Sequence, residues 1–98
     1  MLDIPSHWLD ELTPIFKRWA PEFEVWAYGS RVKGLSHAGS DLDLVLIHPD
    51  PTIHCRRTPD IKSELSESNI PIVVDVLDWA SLPNEFKKQI ETDKVRLL

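Results

Sequence analysis

The spacing of apolar positions near the start of the chain predicts a helix. Between residues 6 and 20, tryptophan, leucine, isoleucine and phenylalanine recur every three or four positions, which places them on one helical face. Ser6 is suited to the N-cap, and Pro21 to the position beyond the last turn. Pro14 falls inside this pattern and is expected to kink the helix, because proline cannot donate the backbone hydrogen bond of an inner turn.

Four segments predict strands. Residues 22–28 alternate between polar and apolar side chains, as a half-buried strand does, and lead into a glycine turn. Residues 42–47 become apolar on both faces, which is typical of a central strand. Residues 72–77 are rich in β-branched side chains and predict a third strand, and residues 94–98 a short last one.

Three further helices are expected between and after these strands: a short one with a loop over 31–40, one from Thr58 to about Ser68, and one over 83–92. Thr58 is expected to cap the second of these, with proline in its first turn, and Asn69 to end it in the left-handed conformation. Phe86 and Ile90 are expected to be buried by the last helix. The alternation of helices and strands predicts an α/β (α+β) fold in which helices cover a small sheet.

Length, charge and cysteine content narrow the class of protein. Ninety-eight residues suffice for one core and one site, so residues 1–98 are expected to form a single domain. The net charge of −5 argues against stable binding of nucleic acid through a broad basic face. Cys55, the single cysteine, excludes an internal disulfide and a cysteine-rich zinc site, and fits a reducing cytoplasm. Residues 1–5 lack the pattern of a signal peptide, and no apolar run approaches the roughly 20 residues that span a membrane.

The pair Asp41-x-Asp43 is the first candidate for chemistry. Side chains two positions apart on a strand share a face, with Cα atoms about 6.6 Å apart, so both carboxylates can reach hard divalent cations such as Mg2+. The spacing alone is weak evidence, because roughly one such pair is expected by chance in this composition. The position says more: two charges open a strand that otherwise leads into the core, where unpaired carboxylates are unstable. The alternative is a pair of solvated carboxylates in the loop before the strand.

Gly29 and Ser30, hereafter the glycine turn, are the second candidate. Glycine lets a phosphate approach the backbone, and the following N–H groups with the Ser30 hydroxyl can bind its oxygens. Arg31 and Lys33 are placed to neutralise the phosphate charge. The alternative is an ordinary strand-to-helix turn in which Ser30 caps the helix.

A third carboxylate interrupts the strand predicted over residues 72–77. Asp75 is the one polar residue in that run, and a charged group in such surroundings needs a cation, a partner or a shifted pKa. Asp78, at the end of the strand, is the rival candidate, although a helix cap or a solvated position suits it better. The alternative for Asp75 is a structural salt bridge to a lysine or arginine.

Together these residues resemble the signature of a known family. Ten residues separate the glycine turn from Asp41-x-Asp43, and another strand carboxylate follows about thirty residues later. Segments 25–34 and 40–44 are similar to the signature of the minimal, MNT-type nucleotidyltransferases of the DNA polymerase beta-like superfamily, and segment 66–79 is also similar. The resemblance covers nearly the whole chain.

The resemblance implies both a fold and a site. The fold is the polymerase beta-like nucleotidyltransferase fold, a small mixed sheet flanked by helices. Two Mg2+ ions would be held by Asp41, Asp43 and Asp75, which would also be the catalytic residues, with Asp78 as the alternative third carboxylate. The nucleotide would be bound by residues in and after the glycine turn: Gly29, Ser30, Arg31, Lys33 and Ser40.

The activity implied by the resemblance is transfer of a nucleotidyl group, AMP from ATP, onto an acceptor hydroxyl. Larger relatives carry an added helical domain that binds the acceptor, and this chain is expected to lack it. The resemblance therefore suggests a hetero-oligomer with a helical HEPN-type toxin encoded nearby, in which this chain is the antitoxin and attaches AMP to a tyrosine of the toxin. The alternatives are a transferase for a small molecule such as an aminoglycoside, with its pocket on another subunit, and a non-catalytic antitoxin that silences its partner by binding.

Overall fold

A computed structural model describes residues 4–35 and 37–98. The expected absence of a signal peptide rests partly on residues 1–3, which lie outside the described residues, as does Ser36. The helices are Ser6–Trp19 (α1), Ser30–Lys33 (α2), Thr58–Ser66 (α3) and Asn84–Asp93 (α4), and a 3-10 turn covers Trp79–Ser81. The strands are Glu24–Tyr28 (β1), Leu42–Ile47 (β2), Val74–Asp78 (β3) and Val95–Arg96 (β4). No helix in the described ranges has the length and apolarity to cross a membrane.

The four strands form one sheet in the order β3-β2-β1-β4. β1 is antiparallel to β2 and to β4, whereas β2 and β3 are parallel. Parallel neighbours need a crossover connection, and α3 lies in the segment that supplies it. The predicted small mixed sheet flanked by helices is therefore confirmed, and the strand predicted over residues 42–47 lies inside the sheet.

Alternation along β2 divides the core between the two faces of the sheet. Its three leucines point to the first face, where α1 and α3 bury them completely. Each such leucine contributes about 1.5–3 kcal/mol relative to an exposed one. Val45 points to the second face and packs against Trp79 and Ile90. Asp43 also belongs to this second face by alternation, and it is only partly covered.

The first helix follows the predicted apolar face. Its buried residues are Trp8, Leu12, Ile15 and Phe16. The helix runs through Pro14 and ends before Pro21, where the N–H of Ala20 still bonds to the carbonyl of Phe16. The expectation for Ser6 is wrong, because Ser6 is already helical and no side chain caps this end.

The ends of α3 differ from the prediction. The Thr58 hydroxyl donates to the carbonyl of Cys55 at 3.0 Å instead of capping the helix, and the N-cap position falls one residue earlier. Among the described residues only glycines have positive φ, so Asn69 is not left-handed. The hydroxyl of Ser68 instead donates to the carbonyl of Leu65 at 2.7 Å, which satisfies one of the carbonyls at the helix end.

The third strand is shifted along the chain relative to the prediction. It begins at Val74 and includes Asp78. The chain before it still touches the sheet, since the carbonyl of Val73 accepts the N–H of Leu42 at 2.9 Å. The shift matters because Asp78 becomes a strand residue whose side chain direction is set by alternation.

The last helix buries only one of its two predicted core residues. Ile90 is 2% exposed, as predicted, but Phe86 is 37% exposed. The ring of Phe86 contacts that of Tyr28 edge to face, with centroids 6.1 Å apart. Phe86 thus leaves an aromatic surface open beside the end of β1.

Candidate active site

One register row crosses three strands on the second face of the sheet. Tyr28 in β1 pairs with Asp43 in β2, which pairs with Asp75 in β3. Asp43 and Asp75 are two positions from Val45 and Leu77, which line the second core, and Tyr28 packs against that core too. Because neighbouring strands lie about 4.8 Å apart, one phenol and two carboxylates stand side by side. Tyr28, Asp43 and Asp75 are called the register row below.

The register row concentrates negative charge. Burial raises the pKa of Asp43, and the carboxylates of Asp75 and Asp41 raise it further. Burial also raises the pKa of the Tyr28 hydroxyl, with added contributions from Asp43 and Asp75. Asp41 is exposed and directly precedes β2, so its charge acts from the open side of the site. A bound cation would relieve this mutual repulsion.

The donor set of Asp41, Asp43 and Asp75 fits a hard divalent cation. Carboxylate oxygens are the ligands that Mg2+ prefers, and Mg2+ is usually held by one or two carboxylates together with water and substrate phosphates. Within residues 4–35 and 37–98, no three histidine, cysteine or acidic side chains are already close enough to enclose an ion. The arrangement therefore fits a cation shared with a phosphate substrate better than a closed protein cage.

The glycine turn is in contact with the register row. Gly29 has φ +83°, and a Cβ atom at this position would lie 2.5 Å from Oδ2 of Asp43. Its carbonyl accepts the N–H groups of Val32 and Lys33, each at 3.1 Å, at the start of α2. Only glycine allows both this conformation and this approach. A phosphate bound at the turn would consequently lie next to a carboxylate.

The other residues predicted to bind the nucleotide do not all surround the glycine turn. Ser30 is the first residue of α2 and is partly exposed. The Lys33 ammonium is exposed and pairs with the Asp93 carboxylate of α4 at 3.5 Å. The Ser40 hydroxyl accepts the backbone N–H of His37 at 2.9 Å and closes a loop over residues 37–40.

Arg31 takes a position that differs from the expected phosphate contact. It is 4% exposed, and its guanidinium donates to the backbone carbonyls of Ser40 at 3.0 and 3.1 Å and of Ala38 at 3.2 Å. The same group lies 5.2 Å from the ring centroid of Trp8. These donors are directed at backbone carbonyls, and the predicted contact of Arg31 with a phosphate stays a prediction.

The geometry favours Asp75 over Asp78 as the third carboxylate. Three positions separate the two aspartates in β3, so their side chains leave opposite faces of the sheet. Oδ2 of Asp78 accepts hydrogen bonds from Nδ1 of His54 at 3.0 Å and from the Ser81 hydroxyl at 3.2 Å. These contacts hold the 3-10 turn and the loop before α3, away from the register row.

A cavity of about 170 Å3 opens beside the glycine turn. Tyr28, Gly29 and Lys33 line one side, and Phe86 and Gln89 of α4 line the other. A larger groove of about 400 Å3 lies between α3 and residues 70–74 and contains none of the predicted site residues.

Tyr28 and Phe86 line the cavity of the candidate site, and neither was predicted from the sequence. The sequence did contain a signal for Tyr28, because it ends the predicted strand directly before Gly29. In the structure it lies opposite Asp43 in the neighbouring strand. Phe86 had no such signal, because its helical spacing from Ile90 indicates a core position.

Residues 10–98 match the family described as Polymerase beta, Nucleotidyltransferase. A protein of Haemophilus influenzae named "Probable protein adenylyltransferase MntA" is 42% identical over 89 residues, which cover 91% of this chain and 77% of that protein. A crystal structure of a toxin–antitoxin with AMP-PNP has a TM-score of 0.72 and 20% identity, over 92% of this chain and 72% of the other. A mutant of the toxin–antitoxin MntA-HpeT has a TM-score of 0.69 and 20% identity, over 91% and 70%.

The two solved structures share the fold, and the family match extends over nearly the whole chain. The chain therefore belongs to the polymerase beta nucleotidyltransferase family.

Proposed function

We propose that this chain is a protein adenylyltransferase that attaches AMP from ATP to a toxin partner and so acts as its antitoxin. The family gives nucleotidyl transfer as the class of reaction. The relative at 42% identity is named a protein adenylyltransferase, and the structural neighbours are toxin–antitoxin proteins, one with AMP-PNP. The observation that carries the proposal is the contact between Gly29 and Asp43, with Asp75 in register beside them.

In this proposal the glycine turn binds the phosphates of ATP. The backbone N–H groups after Gly29 and the hydroxyl of Ser30 donate to phosphate oxygens, and the missing Cβ lets the phosphate approach. The carboxylates of Asp41, Asp43 and Asp75 hold Mg2+, and the family resemblance implies two such ions. When bound, Mg2+ neutralises charge on the phosphate oxygens and on the leaving pyrophosphate.

Asp75 is proposed to receive the proton of the attacking hydroxyl. The hydroxyl oxygen of the acceptor forms a bond to the α-phosphorus, and the bond from this phosphorus to the oxygen of pyrophosphate breaks. The proton of the hydroxyl passes to a carboxylate, and Asp75 is the one on β3, the edge strand of the sheet. An edge position leaves room for an acceptor carried by a second protein.

The cavity between Tyr28 and Phe86 is proposed to receive the nucleoside of ATP. The nucleoside is covalently attached to the phosphates, so it must lie within a short reach of the glycine turn, and Gly29 lines both sites. The two rings offer apolar surface to a base. Gln89 adds an amide that can both donate and accept hydrogen bonds.

The acceptor is proposed to be a tyrosine on a helical, HEPN-type toxin that associates with this chain. A net charge of −5 favours a partner surface with basic residues. Because the cavity beside the glycine turn is assigned to the nucleoside, the acceptor hydroxyl would be presented by the partner and not enclosed by this chain.

The test combines the chain, labelled ATP, Mg2+ and the toxin encoded beside it, followed by mass spectrometry of the separated toxin. We expect an increment of one AMP or more on a tyrosine, which persists after separation. Asp43→Asn should abolish the increment. Asp10→Asn is the matched control, because it removes the same charge from an exposed position of α1, and it should transfer normally. An unmodified but inhibited toxin would contradict the proposal and indicate inhibition by contact; label on a small molecule instead would indicate a small-molecule transferase.

A further inference from the structure

Arg31 is the one charged residue that is buried in the described part of the chain. We propose that Arg31 is a positioning residue that acts on Asp41 through the loop of residues 37–40. The inference rests on the proposed function in one respect, that Asp41 is a ligand of the catalytic cation.

Arg31 donates several hydrogen bonds to the end of this loop. Its Nε and Nη2 atoms donate to the carbonyl oxygen of Ser40 at 3.1 and 3.0 Å, and Nη2 also donates to Ala38 at 3.2 Å. Hydrogen bonds from a charged donor are shorter and stronger than those between neutral groups. The planar fork of the guanidinium fixes the direction of the bound carbonyl, which a single ammonium cannot do.

Among the described residues, the other hydrogen bonds of this loop lie within the loop itself. His37, Ala38 and Gly39 are exposed. The bonds within the loop, from the His37 N–H to the Ser40 hydroxyl and from the Ser40 N–H to the His37 carbonyl, join the loop to itself. The Arg31 contacts, by contrast, join it to α2. Removing them would leave the shape of the turn but free its position.

The other side of Arg31 is fixed by the core. Its guanidinium lies 5.2 Å from the ring centroid of Trp8, which is 6% exposed and belongs to the first core. A cation over an indole face is stabilised by the ring quadrupole, and the carbonyls on its edge supply the acceptors that a buried charge requires. Arg31 therefore connects α1, α2 and the loop.

These contacts of Arg31 fix the position of Asp41. Its preceding carbonyl, on Ser40, is held by two donors of Arg31, and the following residue, Leu42, is fully buried with its N–H bonded to Val73. The backbone of an exposed carboxylate is thus fixed on both sides. Because Arg31 also directly follows Ser30, the same side chain sets the separation between the glycine turn and Asp41.

The test is a titration of Mg2+ in the presence of AMP-PNP, with the melting temperature of the full chain as the readout. Arg31→Met keeps an apolar side chain beside Trp8. In this variant we expect the Mg2+ concentration that gives half of the maximal shift in melting temperature to rise on the order of 10- to 100-fold. Losses of this size follow when residues that support metal ligands are removed. Arg31→Lys, which keeps the charge without the fork, should show a smaller rise. Hydrogen exchange at the amides of Gly39 and Ser40 should accelerate in both variants.

Arg57→Met is the matched control. The Arg57 guanidinium also lies 5.2 Å from a tryptophan ring, that of Trp19, but its side chain is 60% exposed and far along the chain from the loop. This variant loses the same kind of ring contact and should keep the wild-type Mg2+ midpoint. A lower melting temperature without Mg2+ is expected of a merely structural residue and does not count as support.

A wild-type Mg2+ midpoint in Arg31→Met would overturn the inference, and if that variant does not fold, the midpoint of Arg31→Lys decides in the same way. An unchanged midpoint in Asp41→Asn would also overturn it, because no ligand would then remain for Arg31 to position. Failure of the proposed function is distinct: the wild type would show the Mg2+-dependent shift and yet leave the toxin unmodified.

Discussion

The contact between Gly29 and Asp43 shows how closely single residues determine this site. The carboxylate occupies the space that a side chain at position 29 would need. The same carboxylate is partly buried beside two others that raise its pKa. Neither the close approach at Gly29 nor the crowding of carboxylates at Asp43 favours stability, which makes substitution of both residues informative.

Asp43→Asn is expected to stabilise the metal-free chain while it abolishes transfer. The folded-state pKa of Asp43 is raised above the unfolded value, first by burial and then by Asp75 and Asp41. The folded state then binds the proton more tightly, so the wild type loses stability as pH rises from the acid range through the raised pKa. The variant does not titrate there. The melting temperature of the variant minus that of the wild type should therefore increase as pH rises from about 3 to about 7, a range that includes the usual aspartate pKa.

Transfer by Asp43→Asn should fall at least about a hundredfold, since a metal ligand supports several kcal/mol of charge stabilisation and 1.4 kcal/mol is tenfold in rate. Added Mg2+ should raise the melting temperature of the wild type more than that of the variant. A variant that is less stable than wild type at neutral pH without divalent cations would show that the carboxylates do not repel one another.

Gly29→Ala and Gly34→Ala form a matched pair. Both glycines have positive φ, +83° and +75°, but a Cβ atom meets Asp43 at 2.5 Å only at position 29 and meets nothing within 4 Å at position 34. Gly34→Ala should lose about 1–2 kcal/mol of stability from its backbone conformation and retain transfer. Gly29→Ala should be less stable than Gly34→Ala and inactive. Equal transfer by the two variants, measured with labelled ATP, would contradict the proposed close approach.

At the scale of elements, α4 contributes an exposed aromatic surface that its sequence pattern does not predict. Ile90 anchors the helix in the second core, whereas Phe86 stands beside Tyr28 at the edge of the cavity. An amphipathic helix that covers only part of a sheet face leaves its marginal apolar residues exposed. The helix thereby supplies one wall of the proposed nucleoside site.

Phe86→Ala should weaken ATP binding more than turnover. Contact of an aromatic side chain with a base contributes about 1–3 kcal/mol in substitutions to alanine, so KM for ATP should rise roughly tenfold with kcat little changed. Val73→Ala is the control, because Val73 is 63% exposed and lies before β3, in the groove away from the cavity. Steady-state kinetics on the toxin would measure both, and an unchanged KM in Phe86→Ala would place the nucleoside elsewhere.

At the scale of the whole molecule, net charge affects encounter with a partner more than it affects the fold. The chain carries 16 acidic and 11 basic residues. The resulting negative net charge accelerates association with a basic surface, and salt screens this attraction. The association rate with the toxin should therefore fall as ionic strength rises, while the dissociation rate changes less. Stopped-flow measurements over a salt series would show this, and a rate independent of salt would argue against a basic docking surface.

Much of the fold was predictable because its signals are local. Helical spacing over residues 6–20 and the continuous apolar run over residues 42–47 reflect the geometry of one element, and both elements were found within one residue of their predicted limits. Element ends were less predictable: Asn69 is suited to a left-handed end but does not adopt one. The hydroxyl of the neighbouring Ser68 donates to a carbonyl at the helix end instead. The sequence alone does not show which of two such local hydrogen-bonding arrangements forms.

The sequence by itself determined the elements and the family signature, because strand alternation and short spacing follow from the geometry of a single segment. Only the tertiary structure decided which distant groups meet. Parallel pairing of β2 with β3 placed Asp75 beside Asp43. Packing of the buried Arg31 directed its guanidinium at backbone carbonyls. Register between strands and the burial of a long side chain depend on packing between segments that are distant along the chain, and so they follow only once those segments meet.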